Sequence, residues 1–316
     1  MQSFDTGMQA SAIAVHNPGF FGLKDAGGTL FAVGLLNGSA TMFQFTNIGT
    51  RTTTSVNTST DHELSLTDVV APTGLILAGT NGYVPVVADA APGSTPASQP
   101  ALHFYTELFG LLNSSIPFVT PYSSKEIMQS VAGGPVYGLN YQIYNLVKGG
   151  DRLYVTHGGA TVSVFDRIIW NMVFGKLTSI TSANRTITVQ NATNLRGVWY
   201  DAASDKLIVS DAGVLGNGTD GAIYVINKGS TASGTVSPAI TISGANTLLG
   251  DPLDVLLRAN GSLYVAEAAN GGGQILVFDN ILSSSGGNVA PSVAVPVGTL
   301  GSSGAPSWLT LAPGAQ

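Results

Sequence analysis

Four side chains able to move a proton or hold a cation recur at one kind of place in this chain. Asp89, His157, Asp211 and Glu267 each end a short apolar run, and Asp254 stands early in another. Carboxylates and an imidazole converging on one axis would offer hard donors to a divalent cation, or poise a general base. The same residues have a plainer use. An acidic side chain at a strand end accepts hydrogen bonds from the backbone amides of the adjoining turn. Residue type alone favours capping over ligation.

A second set, Asp211, Asn217 and Asp220, has the flexible oxygen ligands of a weak Ca²⁺ site, although a plain turn explains the segment more simply. Residues 216–221 spell a dinucleotide fingerprint, but an expected strand over 222–227 follows in place of the helix whose N-terminus would hold a pyrophosphate. No nucleophile-elbow, zinc-helix or phosphate-loop motif occurs, and the His residues at 16, 62, 103 and 157 stand far apart. Tyr141, Tyr144, Trp199 and Trp308 fall at or near inner strands, where packing is the default and the floor of a pocket the alternative.

The elements that must position these residues repeat. Leu153-Tyr154-Val155 leads to Val164-Phe165-Asp166, Leu207-Ile208-Val209 to Val225-Ile226-Asn227, and Leu263-Tyr264-Val265 to Val277-Phe278-Asp279, with fainter copies near residues 32 and 87. The third positions of these runs (32, 87, 155, 209, 265) lie 55, 68, 54 and 56 residues apart. A period of that length built from short strands predicts a β-propeller, one domain over residues 1–316.

Composition agrees. The chain has 316 residues with 40 Gly, as a fold full of tight turns requires, and only 9% charged residues. Its net charge of −6 and 12 scattered Lys and Arg argue against a nucleic-acid partner. No apolar run is long enough to span a bilayer, and with no Cys there is neither a disulfide framework nor a thiolate metal site. The first fifteen residues lack the basic and apolar regions of a signal peptide. Seven Asn-x-Ser/Thr sequons, at Asn37, Asn57, Asn113, Asn184, Asn191, Asn217 and Asn260, favour an exported, glycosylated protein whose leader has been removed.

Six blades are expected. Pro306 to Leu311 repeats Pro252 to Leu257 at a spacing of 54, which marks a sixth inner strand. Ser3-Phe4-Asp5 resembles a third strand and residues 11–15 an outer strand, so the closing blade would be shared by both chain ends, with one strand short. Three explanations of the gap stand open: a three-stranded blade, strands lost at the segment's boundary, or a strand donated by a neighbouring molecule. Blade two carries the extra length, with a loop over 90–100 and a capping box, Ser123 and Glu126, that predicts a short helix through Val131.

The pattern Pro-x-x-Val-x-x-x-x-x-Gly-x-Leu-Tyr-Val-Ala-Glu…Gln-Ile-Leu-Val-Phe-Asp, running from Pro252 to Asp279, resembles the NHL and YVTN classes of propeller repeat. Blades three to five carry it clearly. Proteins with similar repeats include extracellular binding modules, cell-surface proteins, lactonases and lyases, so the resemblance implies the fold rather than the function. In lactonase-like hydrolases a metal held by Glu, Asn and Asp sits on the axis, yet the matching position in blade five is closest to Leu253, with Asp254 one residue out of register. Two functions are therefore expected to compete. One is a non-enzymatic extracellular or cell-surface module, without cofactor unless Ca²⁺, binding a protein or glycan partner or itself. The other is a metal-dependent hydrolase or lyase using the axial carboxylates and His157.

Overall fold

The structure, a computed structural model of the chain, describes residues 9–16, 28–48, 51, 56–58, 60–78, 84–90, 100–105, 119–122, 126–129, 136–145, 150–168, 171, 182–300 and 304–310. Its strands follow the repeat. The first blade is built from β1 (Gln9–His16), β2 (Thr29–Leu36), β3 (Ser39–Phe45) and β4 (His62–Leu66), all antiparallel. The β2–β3 hairpin turns on Asn37 and Gly38, both at positive φ (51° and 81°), the conformation that an Asn-Gly hairpin adopts with least strain.

The second blade opens with β5 (Pro72–Ala78), β6 (Val84–Asp89) and β7 (Ala101–Phe104). The chain then returns to the first blade, where β8 (Val119–Tyr122) pairs in parallel with β4, before β9 (Glu126–Gln129) completes the second. The third blade holds β10 (Gly138–Asn145), β11 (Gly150–Thr156), β12 (Thr161–Asp166) and β13 (Arg185–Val189). The fourth holds β14 (Leu195–Asp201), β15 (Lys206–Asp211) and β16 (Ala222–Asn227). It then lends β17 (Gly234–Val236) to the outer edge of the third, in parallel, and ends with β18 (Ile240–Ser243). The fifth holds β19 (Pro252–Leu257), β20 (Leu263–Glu267), β21 (Gln274–Phe278) and β22 (Val293–Pro296). It repeats the loan in miniature through a parallel bridge from Gly287 to Ile242. These crossings cover sheet edges that would otherwise present unpaired amides, and they tie the second blade to the first, the fourth to the third and the fifth to the fourth.

Second and third strands are buried almost throughout, as in β6, β15 and β16, because both faces of a middle strand lie against neighbouring blades. Leu102, Phe104, Leu153 and Phe165 fill the space between blades two and three, and Ile208, Ile223, Val265 and Leu276 that between four and five.

The blade count corrects the expectation: the described residues form five sheets, not six. Residues 11–15, expected as an outer strand of a shared closing blade, lie within Gln9–His16, the innermost strand of the first blade, paired with β2 from end to end. Of residues 306–311, expected as the sixth inner strand, 306–310 lie between the first and last blades without joining a sheet, and Leu311 lies outside the described residues. Ser307 Oγ donates to the Ser11 carbonyl on one side, and the Leu309 N–H donates to Asp254 on the other. Trp308 packs against the cores of the first two blades. The repeat at Pro306 thus marks a sixth position around the axis, filled by a single extended segment.

The short helix expected from Ser123 is also corrected. Glu126–Gln129 is strand β9, because the open edge of β7 offers backbone partners that a single helical turn cannot match. Ser123 itself and most of the 90–100 loop lie outside the described residues, as do Ser3, Phe4 and Asp5.

Candidate functional site at the axial mouth

The strand-end carboxylates are engaged by backbone. Asp89 accepts from the N–H groups of Val70 and Ala71, at 2.9 and 2.8 Å. Asp211 accepts from Thr193, Asn194 and Gly213 N–H, and from the Thr193 hydroxyl. Glu267 accepts from four amides, those of Gly250, Asp251, Ala269 and Asn270. Each clamps the turn that enters the inner strand of its own blade. Asp89 is held below the usual carboxylate range by hydrogen bonding to His103 and to those two amides, which outweighs the opposing effect of burial.

His157 takes the same place in blade three and departs from the pattern. It is buried, neither ring nitrogen finds a partner among the described residues, and burial pushes its pKa down to about 4, so the ring is neutral at pH 7. None of these four side chains is among the described residues lining the mouth cavity.

In the 211–220 turn, the oxygens considered for Ca²⁺ serve the loop itself. Asp220 accepts from the Val214 N–H, and Asn217 Oδ1 from the Thr219 N–H and hydroxyl. Among the described residues no three His, Asp or Glu side chains form a group able to hold a metal ion. Residues 222–227 are strand β16, which leaves the glycine fingerprint without a helix. Of the sequon asparagines, Asn37, Asn57, Asn184, Asn191, Asn217 and Asn260 are all exposed, while Asn113 lies outside the described residues.

The mouth is built one layer away, by bulges at the starts of the inner strands. The pairing of first and second strands slips between Ala10 and Ala12, Pro72 and Gly74, Leu195 and Val198, and Pro252 and Asp254. A bulge re-aims the side chain within it. The residues caught there, Ser11, Thr73, Arg196 and Leu253, converge with Tyr137, which precedes β10, on a cavity of about 530 Å³. Every blade contributes at least one residue, Leu35 and Pro72 adding to the first and second, and Ser307 of the C-terminal segment takes the sixth place.

Arg196 dominates this ring. Its side chain is buried (8% exposed), its guanidinium carbon lies 3.5 Å from the centroid of the Tyr137 ring, and its Nε has no hydrogen-bond partner. Among the described residues no carboxylate pairs with it. The backbone around it is fixed from both sides. Thr156 Oγ1 donates to the Arg196 carbonyl, while the Gly197 N–H donates to Ser210 Oγ at 2.8 Å. Two glycines let the blades approach this closely. A Cβ on Gly138 would collide with the Arg196 carbonyl, and one on Gly197 would stand 2.6 Å from Asp254 Cα.

Below the mouth a second cavity of about 240 Å³ runs between the inner strands, lined among others by Asn140, Tyr141, Trp199, Asp254 and Trp308. The bulge after Pro252 points Asp254 into it. Burial pushes this carboxyl up to about 7, against the opposing hydrogen bonds from the Leu309 and Val255 amides. Trp308 lies over Gly74, where an added Cβ would stand 3.0 Å from its ring. Tyr141 donates to Asp151 at 2.9 Å, and Tyr144 is half exposed beneath the Arg152 guanidinium, 4.8 Å from its ring centroid.

Of the carboxylates and histidines singled out from sequence, Asp254 alone is among the described residues lining the axial cavities. Arg196 and Tyr137 were missed. The available signal was a lone Arg after Leu195, aligned with Thr73 and Leu253 of neighbouring repeats. No protein-family model matches the chain, and comparison with curated proteins finds none that matches. The β-propeller therefore stands on its strand topology, and the NHL-like pattern has no family match beneath it.

Proposed function

We propose that the chain is a non-enzymatic binding propeller of the cell exterior, which takes a small ligand, or the terminal group of a protein or glycan partner, at the axial mouth. One observation carries this reading: four blades turn a bulge residue, and the third turns Tyr137, onto a single cavity, while the strand-end carboxylates cap turns outside it. About 530 Å³ lies within the usual range of small-molecule sites. The exposure of all six described sequon asparagines supports export. Leu253→Trp tests the site, since an indole there takes up space beside the ring that a ligand needs. Ligand-observed NMR with a fragment mixture should give hits on the wild type that the variant loses. Hits that survive the substitution would place binding elsewhere.

Two other readings keep a specific test. The hydrolase alternative requires a stoichiometric divalent ion on purified protein, together with turnover that chelation abolishes. Self-association draws support from the fifth blade, whose outer strand β22 is largely exposed, with Val293 at 47%, and carries no parallel strand among the described residues. Sedimentation velocity across a concentration series distinguishes a monomer from a growing assembly.

A further inference from the structure

We infer that the mouth recognises a monocarboxylate with an apolar body, its carboxylate paired with the Arg196 guanidinium; this deepens the binding reading above and rests on it. A guanidinium stays charged at every accessible pH, so burial cannot be relieved by losing a proton. An isolated buried charge costs several kcal/mol unless something compensates it. The Tyr137 face supplies part of that and leaves the in-plane donors of the fork unused among the described residues. Among the described residues Nε has no partner and the side chain makes no other hydrogen bond, and the group lines the cavity.

The chemistry of the walls narrows the ligand. Leu35, Pro72 and Leu253 present apolar surface, and none of the described lining residues is acidic. Arg196 is also the only cation among them. One planar fork matches one planar carboxylate through two parallel hydrogen bonds. A phosphate dianion would keep a charge that nothing in the ring neutralises. The hydroxyls of Thr73 and Ser307 are already donated, to the carbonyls of Val136 and Ser11, which leaves a second polar end only those of Ser11 and Tyr137 in the ring.

Calorimetric titration with 3-phenylpropionate, 3-phenylpropan-1-ol and phenyl phosphate tests the assignment on the wild type, Arg196→Met and Leu253→Trp. Arg258→Met, which removes a cation resting 6.0 Å from the Tyr264 ring centroid, serves as control. The carboxylate should bind the wild type and the control about ten-fold more tightly than the alcohol, and more tightly than the phosphate. Arg196→Met should erase that preference while shifting the melting temperature by no more than about 4 °C, and Leu253→Trp should abolish all binding. Equal binding of acid and alcohol, lost in Leu253→Trp, would overturn the carboxylate assignment and leave the binding site standing. Tighter binding of the phosphate would overturn it in favour of another anion. No binding of any probe would overturn both.

Discussion

Two buried ionisable groups sit at successive levels of one axis and have opposite fates. Asp254, inside the channel, accepts the Leu309 N–H and carries a pKa pushed up to about 7, so it can meet burial by taking a proton. Arg196, at the mouth, has an aromatic face and no acceptor, and cannot discharge. The first group is satisfied by the chain's own C-terminal segment. The second is complete only with something brought from outside. Burial alone therefore does not mark a functional group; an unfilled hydrogen-bonding requirement does.

The largest effect that sharpens this contrast is electrostatic. Asp254 has a folded pKa raised from 3.8 to about 7, so its contribution is full below about pH 4 and is lost as pH rises through 7. Asp254→Asn keeps an acceptor for Leu309 and removes the ionisation. At pH 8 it should be more stable than the wild type by up to about 4 kcal/mol, and near pH 4 the two should coincide in urea titrations.

His157 runs the other way. Its folded pKa lies near 4 against 6.5, so its contribution is full above 6.5 and is lost as pH falls through 4. His157→Leu should hold an advantage over the wild type that grows by about 3 kcal/mol between pH 6.5 and 4. In the wild type the two slopes oppose each other across the same window. Each single substitution should tilt the stability curve, in opposite senses, and the double variant should restore much of its shape.

Trp308→Ala comes next. Half-buried, it packs on Gly74 and on two blade cores, so its loss should cost about 2 kcal/mol in chemical denaturation. No change would mean that the sixth position adds nothing to the closure of the ring. Arg196→Met should have the smallest effect, within about 1 kcal/mol of wild type and of either sign, because it removes a charge with no internal carboxylate partner. A loss of 3 kcal/mol or so would reveal a structural ion pair and break the contrast with Asp254.

The strands of blades four and five were legible almost to the residue, because Leu-Tyr-Val and Val-Phe-Asp runs are buried on both faces and tolerate little else. Strands β8 and β17 were not legible. Val119–Tyr122 and Gly234–Val236 are short outer strands held only by parallel backbone pairing, which imposes no pattern on side chains. Pro306 was read correctly as a repeat and wrongly as a blade, since a repeat of inner-strand residues encodes packing around the axis and not the outer strands a sheet needs. At the site, carboxylates were conspicuous because their positions recur, yet recurrence followed from capping. Arg196 occurs once, at a bulge whose register slip becomes visible only when the strands are paired.

The central claim is that Arg196 awaits a carboxylate, and ligand-induced stabilisation tests it most directly. Saturating 3-phenylpropionate should raise the melting temperature of the wild type and leave that of Arg196→Met unchanged. An equal rise in both proteins, or no rise in the wild type, would contradict it.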